Sequence, residues 1–140
     1  MATVEVSFTA LPAHVRTARL VATAVARRSG VAESLLEEVR LAVGEACSRA
    51  VEAHRRSCPG EPVRIALTDG AGRFEVEVTD TGARPAHGTG QSAASSGDGQ
   101  ALPPGFGIAV IAGLADHVQV KETPAGTSIR MSWPSAVPAD

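Results

Sequence analysis

The sequence predicts a two-layer α+β sandwich: a mixed, mostly antiparallel sheet with its helices on one face. Three observations carry this reading. Apolar residues alternate with period two in short segments and recur at helical spacing in longer ones. The elements run strand, helix, helix, hairpin, loop, helix, strand, strand. That order breaks the regular strand–helix alternation a doubly wound parallel sheet requires. With 140 residues, positions 1–134 suit one domain, and 135–140 read as a frayed tail.

Val4, Val6 and Phe8 alternate with Glu5 and Ser7, the pattern of a half-buried strand, until Leu11-Pro12 stops it and opens a helix. Over 13–29, Val15, Ala18, Ala22, Val25 and Ala26 share a helix face, and Ser29-Gly30 supplies a stop. Over 33–54, Leu35, Val39, Ala42, Val43, Ala46, Ala50 and Val51 form a broad apolar face with no proline, which predicts a longer helix. After the turn Cys58-Pro59-Gly60-Glu61-Pro62, the alternating runs Val63/Ile65/Leu67 and Phe74/Val76/Val78 form a hairpin through Asp69-Gly70-Ala71-Gly72. The stretch 81–104 holds five Gly, five Ala, three Ser and three Pro, with Leu102 its one large apolar residue. It cannot pack a core and reads as a mobile, lid-like loop. Ile108, Val110, Ile111 and Leu114 then form a short helix, and Val118/Val120 and Ile129/Met131/Trp133 form closing strands around Pro124-Ala125-Gly126.

Composition removes several classes of function. Thirteen basic against fifteen acidic residues leave no electrostatic footprint for nucleic acid or an anionic membrane. At 3% aromatic content there is little material for base-stacking platforms. No apolar run approaches the ~20 residues that span a bilayer, and MATVEVSF lacks the order of a signal peptide, so a cytoplasmic protein is expected. Cys47 and Cys58 lack zinc-knuckle spacing and read as reduced thiols, with Cys47 in the core. His14, His54, His87 and His117 show no ligand spacing and read as surface or packing residues.

Three segments remain that carry chemistry. Asp80-Thr81-Gly82 puts a carboxylate just past a strand, where it can meet a base amine. Gly105-Phe106-Gly107-Ile108 runs into a helix and presents free backbone N–H groups, the physical basis of a phosphate cradle. Glu45, on the long helix, is placed to act as a general base or polarise a water.

In this order the segments resemble the GHKL ATPase/kinase superfamily, specifically the anti-sigma factor serine kinases. LAVGEACSRAVEAH looks like the N box, VTDTG like the first glycine box, GFGIAVIAGLAD like the second and GTSIRMSW like the closing strand. The resemblance implies the Bergerat-type ATP-binding fold and ATP or ADP as ligand. It implies a homodimer that holds a sigma factor inactive and releases it to a STAS-domain anti-anti-sigma factor. Kinase members phosphorylate a serine of that antagonist. Carried over, Glu45 is the base, Asp80 the adenine contact and Gly82 part of the base pocket. Gly105, Phe106, Gly107 and Ile108 face the phosphates, and Thr127 belongs to the same cofactor set.

The N box departs from the pattern. Arg49 stands where an Asn coordinates Mg²⁺, and a guanidinium has no lone pair to give a metal. Arg49 can instead pair with Glu45 at i, i+4, or reach the phosphates itself. The first glycine box continues Ala83-Arg84 where a second Gly is expected. Three readings therefore stay open: a nucleotide-binding partner-switching regulator, an active serine kinase, and a nucleotide-independent adaptor. Arg16, Arg19, Arg27 and Arg28 read as a solvated face, or alternatively as a docking surface for acidic patches on a partner.

Overall fold

The computed structural model describes residues 2–82 and 106–135. The elements are β1 (Ala2–Phe8), α1 (Pro12–Ser29), α2 (Glu33–Ser57), β2 (Val63–Gly70), β3 (Arg73–Asp80), α3 (Phe106–Leu114), β4 (His117–Thr123) and β5 (Gly126–Pro134). The expected loop lies outside the described residues from position 83, as do Gly105 and the tail from position 136.

The strands form one sheet in the order β1-β2-β3-β5-β4. Every described pairing is antiparallel, so the expected mixed sheet is wholly antiparallel among these residues. Having left β3, the chain reaches the far edge as β4 and returns inward as β5, which pairs Thr127 with Asp80 at the end of β3. The α+β sandwich is thus the observed fold, and its topology brings Gly126-Thr127 against Asp80-Thr81.

Strand alternation sets the layers. Val63, Ile65 and Leu67 of β2, Phe74, Val76 and Val78 of β3, and Ile129, Met131 and Trp133 of β5 are buried together under the helices. The helices contribute Val15, Ala18, Ala22 and Ala26 from α1 and Leu36, Val39, Val43, Ala46 and Val51 from α2. Alanines dominate the α1 contact, so the two long helices pack closely. Gly44 completes this approach, since a Cβ there would lie 2.6 Å from Arg19 Cδ. Trp133 donates its indole N–H to Leu114 O at 3.1 Å and fixes the end of α3 on the sheet. A fully buried side chain of this kind contributes roughly 1.5–3 kcal/mol.

Two boundaries and the burial of one residue differ from expectation. Helix α2 runs on to Ser57 because no breaker precedes Pro59, and Cys58 N–H closes the last turn on His54 O. Asp69 and Gly70 belong to β2, paired with Phe74 and Arg73, which leaves a two-residue turn. Ala71 and Gly72 form it with φ of 56° and 76°, both positive, as the twist of a tight hairpin demands. Val4 is 43% exposed, because β1 is a sheet edge and only Val6 and Phe8 reach under the helices. No helix among the described residues is long and apolar enough to cross a membrane.

The core placement of Cys47 has a chemical consequence. Burial pushes its thiol up to about 12, against the opposing pull of Arg19. At pH 8 iodoacetamide should label one thiol per native chain, the half-buried Cys58, and two after denaturation. Two labels on the native protein would show that the α1–α2 contact opens.

Candidate functional site

Helix α2 is the ruler for the site. Glu45, Arg49, Ala53 and Ser57 repeat every fourth residue and so lie along one stripe of the helix. The stripe covers about 18 Å at 1.5 Å per residue. At one end the first turn of α3 sits on Glu45 and Arg49. A Cβ on Gly107 would lie 2.6 Å from Glu45 Oε2 and 3.2 Å from Arg49 Cδ. At the other end the backbone after β3 sits on Ala53 and Ser57, where a Cβ on Gly82 would lie 3.0 Å from both Ala53 O and Ser57 Oγ. Residues 45, 82 and 107, remote along the chain, are therefore brought to one i, i+4 ridge of α2.

Both glycines let a neighbouring segment approach α2 closely. Gly107 lets α3 descend onto the Glu45 carboxylate, which keeps the first-turn N–H groups of α3, including those of Gly107 and Ile108, beside the stripe. Gly82 spends its missing side chain against α2. Phe106 opens α3.

Asp80 is buried at the end of β3, with 8% of its surface exposed. Its Oδ1 accepts hydrogen bonds from Gly82 N–H at 3.1 Å and Thr127 N–H at 3.3 Å. A carboxylate fixed by two backbone donors is oriented by the fold. Thr127 is likewise buried and supplies one of those donors. Gly126, just before it, has φ of +150° and lies so close to Asp80 that a Cβ would fall 2.0 Å from Asp80 O.

The ion pairs on α2 include Arg40 with Glu37 and Arg56 with Glu52. Arg49 stands beside Glu45 and Gly107, where the N-box resemblance places a metal ligand, and its guanidinium offers only donors. Among the described residues no group of three or more His, Cys, Asp and Glu could hold a metal ion. Arg49 therefore brings no metal ligand to this end of α2, where the Glu45 carboxylate is the acceptor beside Gly107.

Two further residues, His54 and Gly126, adjoin Asp80-Thr81 and carry no site signal in the sequence. His54 is fully buried, with both ring nitrogens hydrogen bonded, and the available signal was its place three and four residues after Val51 and Ala50 on the buried face of α2. The sequence marks Gly126 only as a turn residue. Its close approach to β3 depends on the β3–β5 pairing, which local sequence does not show.

A separate groove of about 350 Å³ lies between α1 and α2, lined by residues including Arg16, Arg19, Ser48 and Glu52.

The family described as "Histidine kinase-like ATPase domain" matches residues 8–133. No curated protein matches the chain by sequence. Among solved structures, the RsbU and RsbW domains of Rv1364c from Mycobacterium tuberculosis superpose with a TM-score of 0.71 at 17% identity. That likeness covers 99% of this chain and 34% of the other, so the chain spans about a third of that protein's length. The catalytic domain of histidine kinase ThkA superposes with a TM-score of 0.51 at 14% identity, over 96% of this chain and 98% of the other. At these identities the likenesses establish the fold.

Proposed function

The chain belongs to the histidine kinase-like ATPase domain family, and from that premise we propose that it binds ATP or ADP along the Glu45–Ser57 stripe and acts as an anti-sigma regulatory factor. It switches between a sigma factor and a STAS-domain anti-anti-sigma factor, as a cytoplasmic homodimer. The observation that carries the nucleotide reading is the packing of Gly107 on Glu45 and of Gly82 on Ala53 along one ridge of α2, with Asp80 held by Gly82 N–H. Asp80 receives the base amine, and the first turn of α3 with Arg49 meets the phosphates. The likeness of the fold to a structure containing an RsbW domain supports the partner-switching role.

Helix α1 supplies a docking face for the partner. It carries Arg16, Arg19, Arg27 and Arg28 with no acidic residue. Arg27 pairs with Glu33, and Leu20 is 61% exposed in the middle of the helix. An acidic, partly apolar segment complements that surface.

Thermal and calorimetric titration with ADP tests the nucleotide reading. Nucleotide at a hundred times its dissociation constant should stabilise the fold by about 2.7 kcal/mol. No stabilisation by ADP or ATP would leave a nucleotide-independent adaptor. Co-purification tests the partners, and recovery of neither a sigma factor nor a STAS-domain protein would remove the regulatory reading.

A second reading, serine kinase activity on the antagonist with Glu45 as base, is disfavoured by Arg49. Phosphoryl transfer depends on charge neutralisation that a metal ordinarily supplies, and Arg49 has no lone pair to give one where the resemblance places a ligand. Arg49→Asn restores a neutral acceptor and should tighten Mg-ATP binding about tenfold over Mg-free ATP, a selectivity the parent lacks. Equal Mg²⁺ dependence in parent and variant would place Arg49 outside the phosphate end. If transfer occurs at all, Glu45→Ala should abolish it, and unchanged transfer would remove the proposed base.

A further inference from the structure

We infer that His54 is a positioning residue for the base-binding carboxylate, an inference that rests on reading the site as a nucleotide cradle. His54 lies on the last turns of α2 with no solvent exposure. Its Nδ1 is 2.7 Å from Glu61 O, and Thr81 N–H donates to its Nε2 at 2.9 Å. A carbonyl oxygen can only accept and a backbone amide can only donate, so the ring is neutral with its proton on Nδ1. One imidazole thus ties three segments together: the end of α2, the turn before β2 and the end of β3.

The bond to Thr81 bears directly on Asp80. Thr81 N–H and Asp80 C=O belong to the same planar peptide. His54 holds the N–H side of that peptide. On the carbonyl side, Gly126 approaches so closely that a Cβ there would meet Asp80 O at 2.0 Å. The peptide is therefore gripped from α2 and from β5 together. The next amide, Gly82 N–H, fixes Asp80 Oδ1. Orientation passes from α2 through His54 to Thr81, then to Gly82 and back to the Asp80 carboxylate. A plain packing histidine needs only to fill space. Here both nitrogens face backbone groups of the matching donor or acceptor type, and one of those groups adjoins the ligand residue.

Two substitutions separate the two bonds. A Gln amide oxygen occupies the place of Nε2, and an Asn amide nitrogen occupies the place of Nδ1. His54→Gln keeps an acceptor for Thr81 and loses the donor to Glu61 O; His54→Asn does the reverse. Each loses one buried hydrogen bond, so their denaturation midpoints should be similar. ADP titration by calorimetry should separate them: His54→Gln within about threefold of the parent, His54→Asn weaker by about tenfold. Thr81 amide exchange should be faster in His54→Asn than in His54→Gln, and the imidazole nitrogen spectrum of the parent should show the Nδ1–H tautomer. Equal ADP affinity in the two variants, or an Nε2–H tautomer in the parent, would overturn the positioning role. Failure of the parent itself to bind ADP would instead overturn the nucleotide reading, and the inference with it.

Discussion

Gly126→Ala is expected to cost about 3–5 kcal/mol, the largest stability loss of any single glycine substitution in the described chain. Two independent effects add. A φ of +150° is a conformation that L side chains rarely adopt. The new Cβ would also lie 2.0 Å from Asp80 O, 2.8 Å from Asp80 C and 2.9 Å from Thr81 Cα. All three are backbone atoms of the segment leaving β3, so no side-chain rotation relieves the contact, and β5 must separate from β3 at its first pair. Against a total stability of roughly 5–15 kcal/mol, such a loss leaves the domain marginal. Urea denaturation checks it, with Gly60→Ala and Gly113→Ala as controls, since a Cβ at either position meets nothing within 4 Å. Gly113 lies inside α3, so its replacement should raise stability by up to about 1 kcal/mol through helix propensity. A midpoint for Gly126→Ala equal to the parent's would show that the β3–β5 contact is looser than described.

The contrast among these glycines shows what was legible in the sequence. Period-two alternation in Val63/Ile65/Leu67 and Phe74/Val76/Val78 requires one buried and one open sheet face, so strands and layers followed directly from it. The helical face of α2 did the same for Ala42, Val43, Ala46 and Ala50. Glu45 and Arg49 were visible together because four-residue spacing is a local property. Long-range pairing leaves no such mark. Gly107 on Glu45, Gly82 on Ala53 and Gly126 on Asp80 are contacts between elements far apart in the chain. In the sequence each glycine looked like a turn or a ligand approach, because local spacing does not reveal which backbone will arrive opposite. His54 escaped for a related reason. Its partners, Glu61 O and Thr81 N–H, are main-chain groups that any residue at those positions would offer.

Asp80→Asn should reduce ADP affinity between about 10- and 100-fold while changing stability by no more than about 1 kcal/mol. The two effects separate because the substitution keeps the shape. The Asn oxygen can still accept from Gly82 N–H and Thr127 N–H, the two bonds that fix the parent carboxylate at 3.1 Å and 3.3 Å. What changes is the rest of the group. A carboxylate only accepts, whereas the amide presents two N–H donors and no charge. In the proposed site Asp80 receives the exocyclic amine of adenine, so the variant sets donor against donor, a mismatch that buried sites reject strongly. The same change favours a base that carries a carbonyl at that position. Inosine diphosphate should therefore bind Asp80→Asn more tightly than ADP does, and bind the parent more weakly than ADP. Inversion of this preference is a sharper test than loss of affinity, because a distorted or partly unfolded site weakens both nucleotides together. If the parent binds both equally, or the variant retains full ADP affinity, Asp80 does not read the base.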